Sequence, residues 1–208
     1  MKKAILFDLD GTLWDSSREV ALSWSMALER YGIPITQNDV QSVMGKTLDE
    51  IGVLLLPDCT DAQRRQILTE CSDCELRYLR QNGANPYPRL FEMLKTLSAE
   101  YTLCIVSNCQ EGYIETFLDY YGLWEYITDT ENAGRTGKPK GENIRMVIER
   151  NGFEQVIYVG DTQKDCDAAD FAGVPFVHAA YGFGTINRPV PKLTYLQDLP
   201  ALAKQLLN

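Results

Sequence analysis

Two aspartates, Asp8 and Asp10, follow the apolar run Ala4–Phe7 with only Leu9 between them. A short apolar run reads as a buried strand, so it delivers both carboxylates to one edge of a core. Like charges this close repel, and burial penalises each further, so the pair needs a counter-charge. Two more apolar runs end in polar residues. "TLCIVSN" closes on Ser107 and Asn108, and "QVIYVGD" closes on Asp161, with Asp165 soon after. Short carboxylates converging without His or Cys nearby form a hard oxygen set, and such a set selects magnesium. Lys138, in "TGKPKGENI", is held by Pro139 ahead of a helix and is expected to aim a fixed cation at a phosphate. Ser107 offers a hydroxyl and strand-end N–H groups to phosphate oxygens. Gly11 lets the backbone after Asp10 come close to a ligand.

The elements that must position these groups follow from periodicity. Strands are expected at about 4–8, 102–108, 126–128, 155–161 and 174–179. Helices fill the intervals after residue 86, which implies a parallel sheet with helices on both faces. In such sheets ligands sit beyond the carboxyl ends of the strands, near the point where strand order reverses. Between the first strand and the rest lies a helical stretch from about 16 to 82. Its helix starts are marked by Ser16 with Glu19, Thr36 with Asp39, Thr47 with Glu50 and Thr60 with Gln63, each spaced as a capping box. This stretch brings no strand of its own and reads as an inserted helical cap. The expected division is a core of residues 1–13 and 85–208 and a cap of residues 14–84. Within the cap, "VMGKTLDE" places Gly45 and Lys46 in a tight turn before a helix, the segment best suited to face the site. Cys71 and Cys74 have motif spacing but share a helix face with Ile67 and Tyr78, so core packing is the expectation.

Composition sets outer bounds. The 208 residues are 45% hydrophobic and 24% charged, as in an ordinary globular chain. A net charge of −9 argues against a nucleic-acid partner, whose phosphates demand a basic surface. No apolar run is long enough to span a membrane and no leader profile opens the chain, so a cytoplasmic location and no membrane partner are expected.

At these residues the sequence resembles the haloacid dehalogenase-like hydrolase superfamily. "DLDGT" (8–12) matches its first motif, Ser107 its second, Lys138 its third and "GDTQKD" (160–165) its fourth. A helical insertion just after the first motif is similar to the C1-type cap of phosphoglycolate-phosphatase-like and β-phosphoglucomutase-like members. The resemblance implies an α/β, Rossmann-like parallel-sheet core and a magnesium-dependent phosphomonoester hydrolase acting on a small phosphorylated metabolite. Asp8 would be the nucleophile, forming an aspartyl-phosphate, and Asp10 the general acid and base. Mg2+ would be held by the Asp8 carboxylate, the Asp10 backbone carbonyl and Asp161. Asp165 would orient metal-bound water or Lys138, while Lys138, Ser107 and Asn108 would grip the phosphoryl group. From its place in the Gly45 turn, Lys46 is expected to meet a polar or anionic part of the leaving group. A β-phosphoglucomutase-like phosphosugar mutase and a non-enzymatic phosphate-sensing or partner-binding member are the competing readings.

Overall fold

A computed structural model describes residues 1–207. In chain order its elements are β1 (Lys3–Phe7), β2 (Trp14–Asp15), α1 (Ser17–Leu28), α2 (Gln37–Val43), α3 (Leu48–Leu55), α4 (Asp61–Asn82), β3 (Asn85–Pro86), α5 (Leu90–Ser98), β4 (Thr102–Ser107), α6 (Tyr113–Tyr121), β5 (Asp129–Asn132), α7 (Ala133–Thr136), α8 (Lys140–Asn151), β6 (Gln155–Gly160), α9 (Gln163–Ala172), β7 (Phe176–Ala179), β8 (Lys192–Leu193) and α10 (Leu199–Leu206). Among the described residues six strands form one sheet in the order β5-β4-β1-β6-β7-β8, with every neighbouring pair parallel.

The unbroken apolar run of β1 fits its central place. Side chains alternate between the two faces of a strand, and here both faces are covered. Ile5 and Phe7 pack with residues of α5, α6 and α10, and Ala4 and Leu6 with residues of α8 and α9. Strand order reverses at β1, which has β4 on one side and β6 on the other. The carboxyl ends of these three strands therefore open onto one crevice.

Helices α1–α4 build a third apolar cluster around Trp24, Leu28, Val40, Ile67 and Cys71. Cys71 is a buried free thiol in that cluster, so packing accounts for it. The chain enters and leaves these helices through a small antiparallel ribbon in which Trp14 pairs with Pro86 and Asp15 with Asn85. Three expected capping boxes form, at Thr36, Thr47 and Thr60. The fourth does not. Ser16 makes no side-chain cap and instead donates to Asp10 Oδ1 at 2.6 Å.

The short strands β2, β3 and β8 fall outside the five expected, and one expected strand is displaced. The residues at 126–128 precede the strand, which runs over the polar sequence Asp129–Asn132. A buried Glu131 inside a strand is tolerable only with a partner. Arg150 of α8 provides it, with Nη1 2.5 Å from Glu131 Oε2 and Nε 2.7 Å from Asp129 Oδ2. That partner lies far along the chain, beyond any local pattern. Arg150→Ala is expected to cost about 1–3 kcal/mol, the usual penalty for under-satisfying a buried charged acceptor. Arg135, 3.5 Å from Glu131 Oε1, keeps the loss below that of a fully orphaned charge. Thermal melting should drop by roughly 2–4 °C for each kcal/mol in a chain of this size. An unchanged melting temperature would mean that the ion pairs do not hold β5.

Candidate active site

Asp8 stands where β1 ends, its N–H still bonded to Val159 O at 2.8 Å. The residue is 1% exposed. Its cationic neighbour is Lys140, whose Nζ lies 2.9 Å from Asp8 Oδ1 and donates to Asp165 Oδ1 at 2.5 Å. Lys138, the expected cation, does not reach the site. It is half-exposed and pairs with Glu142 on the next helical turn, at 3.6 Å. The correction has a helical reason. Lys140 opens α8 and shares a face with Ile144 and Val147, both fully buried, while Lys138 precedes the helix. That spacing was legible, as was the oddity of a cation at a helix start, where the dipole disfavours it.

Burial first, and then the charge of Asp165, push the Asp8 carboxyl up to about 7 against the pull of Lys140. Burial also pushes Lys140 toward neutrality, but Asp165 and Asp8 outweigh it and keep the ammonium charged. Asp165 itself is fully engaged. Its Oδ2 accepts from Thr162 N–H at 2.9 Å and Thr162 Oγ1 at 2.6 Å, completing a capping box at the start of α9. With Oδ1 on Lys140, it orients that lysine.

Asp10 is set differently. Its Oδ1 accepts three hydrogen bonds, from Trp14 Nε1 at 2.8 Å, Ser16 Oγ at 2.6 Å and Tyr113 OH at 2.9 Å. Burial raises its pKa and these donors partly offset the rise. None of the three was foreseen. Trp14 and Ser16 sit four and six residues on, where the chain enters the cap, and Tyr113 arrives from α6.

Asp161 ends β6 with no exposure. Phe183 N–H donates to its Oδ2 at 2.7 Å, while its Oδ1 has no hydrogen-bond partner among the described residues. Burial, then Asp165 and Asp8, push this carboxyl well up. Gly11 packs against it with φ +78°, and a Cβ there would lie 2.2 Å from Asp161 Oδ2, so the approach requires glycine. Carboxylate oxygens of Asp8, Asp161 and Asp165 lie within 4.8 Å of one another. With Asp165 engaged, Asp8 and the orphaned Asp161 oxygen are the pair that fits a divalent cation.

Ser107 and Asn108 emerge from β4 into the same crevice and, with Asp8, Asp10 and the cap residues Gly45 and Lys46, line a cavity of about 60 Å³. Asn108 Nδ2 donates to Gly45 O at 2.9 Å, which seats the cap loop on the core. Gly45 takes the left-handed conformation the turn required, φ +77°, and an added Cβ would lie 3.1 Å from Thr162. The cavity has one carboxylate that sequence reasoning did not single out, Glu75 of α4.

Comparison with known proteins agrees with this geometry. The sequence profile described as haloacid dehalogenase-like hydrolase matches residues 5–179. The phosphoglycolate phosphatase of Vibrio vulnificus (strain YJ016) is 27% identical over 197 residues, covering 87% of this chain and 85% of that protein. That of Haemophilus influenzae (strain 86-028NP) is 28% identical over 202 residues, covering 90% and 89%. Among solved structures, a predicted phosphoglycolate phosphatase from Haemophilus somnus 129pt superposes with a TM-score of 0.85 at 23% identity, covering 97% of this chain and 98% of that one. The β-phosphoglucomutase of Clostridium difficile shares the fold with a TM-score of 0.78 at 18% identity, covering 99% and 96%.

Two stability measurements test the electrostatics. Lys140→Met leaves Asp8 and Asp165 without their cation and should cost about 3–5 kcal/mol, the range for breaking a buried pair from one side. Lys138→Met should stay within about 0.5 kcal/mol, as at an ordinary surface position. Equal effects would restore Lys138 as an equal candidate. For Asp161 the sign follows from proton counting. Unfolded, its carboxyl ionises near 3.8; folded, it keeps its proton to higher pH. The folded state then binds more protons over that interval, so its stability falls as pH rises. In chelator, Asp161→Asn should melt above the parent at pH 7, and the gap should close toward pH 3. A variant that melts below the parent at pH 7 would contradict the crowding.

Proposed function

The chain belongs to the haloacid dehalogenase-like hydrolases, and from that premise we propose that it is a magnesium-dependent phosphatase of small phosphomonoesters. The observation that carries this reading is the meeting of Asp8, Asp10, Ser107, Lys140 and Asp161 at the ends of β1, β4 and β6, under a seated cap. The phosphoglycolate phosphatases it resembles over most of its length support phosphate-ester hydrolysis.

In this reading Asp8 attacks the phosphorus and the alcohol leaves, giving an aspartyl-phosphate that water then hydrolyses. An acyl phosphate is far more labile than a phosphate ester, so the covalent route divides one hard step into two easier ones. Asp10, anchored through Oδ1, presents its other oxygen to protonate the departing alcohol and then to take a proton from the attacking water. Lys140 neutralises charge beside the nucleophile and, with Ser107 and Asn108, holds the phosphoryl oxygens. Positioning and electrostatics of this kind carry most of phosphoryl-transfer catalysis. Mg2+ would be held by Asp8, Asp161 and the Asp10 main-chain carbonyl. It would supply the positive charge that keeps Asp8 ionised and stabilises the transferring group. Lys46 would meet a polar part of the leaving group. The mutase reading has only the shared fold behind it, and the complete set of polar groups argues against a purely sensing role. No helix among the described residues is long and apolar enough to cross a membrane.

The test is phosphate release from a panel of phosphomonoesters with Mg2+, for the parent and for Asp8→Asn. The amide is nearly isosteric but cannot form the acyl phosphate, so kcat/KM should fall at least about 1000-fold, or about 4 kcal/mol. Turnover by Asp8→Asn within about tenfold of the parent would exclude Asp8 as the nucleophile.

A further inference from the structure

Glu75 is the buried titratable group that the chemistry above leaves unused. It projects from the middle of α4, is 4% exposed, and lines the cavity that also holds Asp8 and Asp10. Most of the wall beside it is apolar, from Val20, Trp24, Val40, Val43, Leu48 and Ile51. No cation pairs with it among the described residues. The one cation among the lining residues, Lys46, is half-buried and makes no ion pair with it. Burying a carboxylate in such a wall is unfavourable, and packing alone gives no reason for one there.

The groups around Glu75 fix what it can accept. Trp24 Nε1 donates to its Oε2 at 2.6 Å. Burial, with the charge of Asp10 adding to it, pushes its carboxyl up to about 8, while Trp24 and the nearby Gln110 amide draw it back. Both neighbours are donors, no protein cation among the described residues stands beside the carboxyl in the cavity, and the raised value leaves it largely protonated near pH 7. A ligand hydroxyl can still donate to its free oxygen, and a ligand ammonium would favour its ionised form and supply the missing counter-charge. An additional carboxylate on the ligand would instead add negative charge to a poorly solvated cavity that already holds Asp8 and Asp10.

We propose that Glu75 selects substrates whose leaving alcohol carries a hydrogen-bond donor, a hydroxyl or an ammonium, over those whose leaving alcohol carries a carboxylate. The proposal rests on the phosphatase reading and deepens it by naming the substrate class. It also separates this chain from the acid named in its relatives, since 27–28% identity leaves room for a different cap specificity. Glu75 acts here as a specificity residue; the phosphoryl machinery lies in the core.

Four small esters with Mg2+ decide it. Glycerol 1-phosphate supplies a hydroxyl, phosphoethanolamine an ammonium, propyl phosphate neither, and phosphoglycolate a carboxylate. One or both donor-bearing esters should exceed propyl phosphate in kcat/KM by at least about tenfold, with phosphoglycolate lowest; tenfold is about 1.4 kcal/mol, the order of one hydrogen bond gained by a buried carboxyl. The better of the two identifies the donor. In Glu75→Leu that preference should collapse toward the propyl ester. In Glu75→Gln, which can still accept from Trp24 and from a hydroxyl, the ammonium preference should fall further than the hydroxyl one. The ratios in the parent stand whether or not either variant folds. Phosphate release with phosphoglycolate or propyl phosphate as the best substrate overturns the proposal and leaves the phosphatase reading intact. Release from none of the four overturns both.

Discussion

The ammonium of Lys140, held between Asp8 and Asp165, is the interaction on which the arrangement of this crevice depends. Parallel strands that converge at a reversal of strand order bring their terminal residues together whatever their charge. Here β1 leads to Asp8 and β6 to Asp161, and α9 brings Asp165 beside them, all three buried almost completely. One lysine offsets two of these acids and leaves Asp161 with an oxygen that nothing among the described residues satisfies. Burying an ion pair is costly, and such pairs are poor contributors to stability. What this one supplies is position: a fixed charge beside Asp8, held through Asp165 and Thr162 to the start of α9.

A second constraint links the core to the cap. Asp10 does not stand free at the strand end, because Trp14, Ser16 and Tyr113 all point at the same oxygen. Two of those donors lie where the chain leaves the sheet to build the cap. The residue proposed as the proton shuttle is thus oriented by the peptide that leads from the sheet into α1. From the other side, Asn108 holds the Gly45 carbonyl, and Lys164 of α9 pairs with Glu50 of α3. Burial of the carboxylates where these helices meet the sheet lowers the local polarity, which strengthens every charge interaction among them.

How much of this was written locally in the chain can be judged residue by residue. Asp8, Asp10, Ser107, Asn108 and Asp161 each end an apolar run, and the sheet places them together as the pattern implied. Three cap helices begin at their Thr boxes because that motif needs only four consecutive residues. Long-range partners were hidden. Ser16 abandons its box for Asp10, and the polar β5 exists as a strand because Arg150 arrives from α8. Lys140 was missed for a different reason: Lys138 and Lys140 flank the same proline, and only the face shared with Ile144 and Val147 tells them apart. Glu75 gave no sign, since a glutamate within a long polar helix reads as solvated until Trp24 closes over it.

The central claim is that Asp8, paired with Lys140, carries the phosphoryl group. Rapid acid quench during turnover, followed by borohydride reduction and peptide mass spectrometry, tests it most directly, because hydride converts an aspartyl-phosphate to homoserine and leaves a free carboxylate untouched. The account predicts homoserine at Asp8, appearing only with substrate and Mg2+ and absent at Asp10 and Asp161. Steady turnover with Asp8 unreduced, or with reduction at another aspartate, would contradict it.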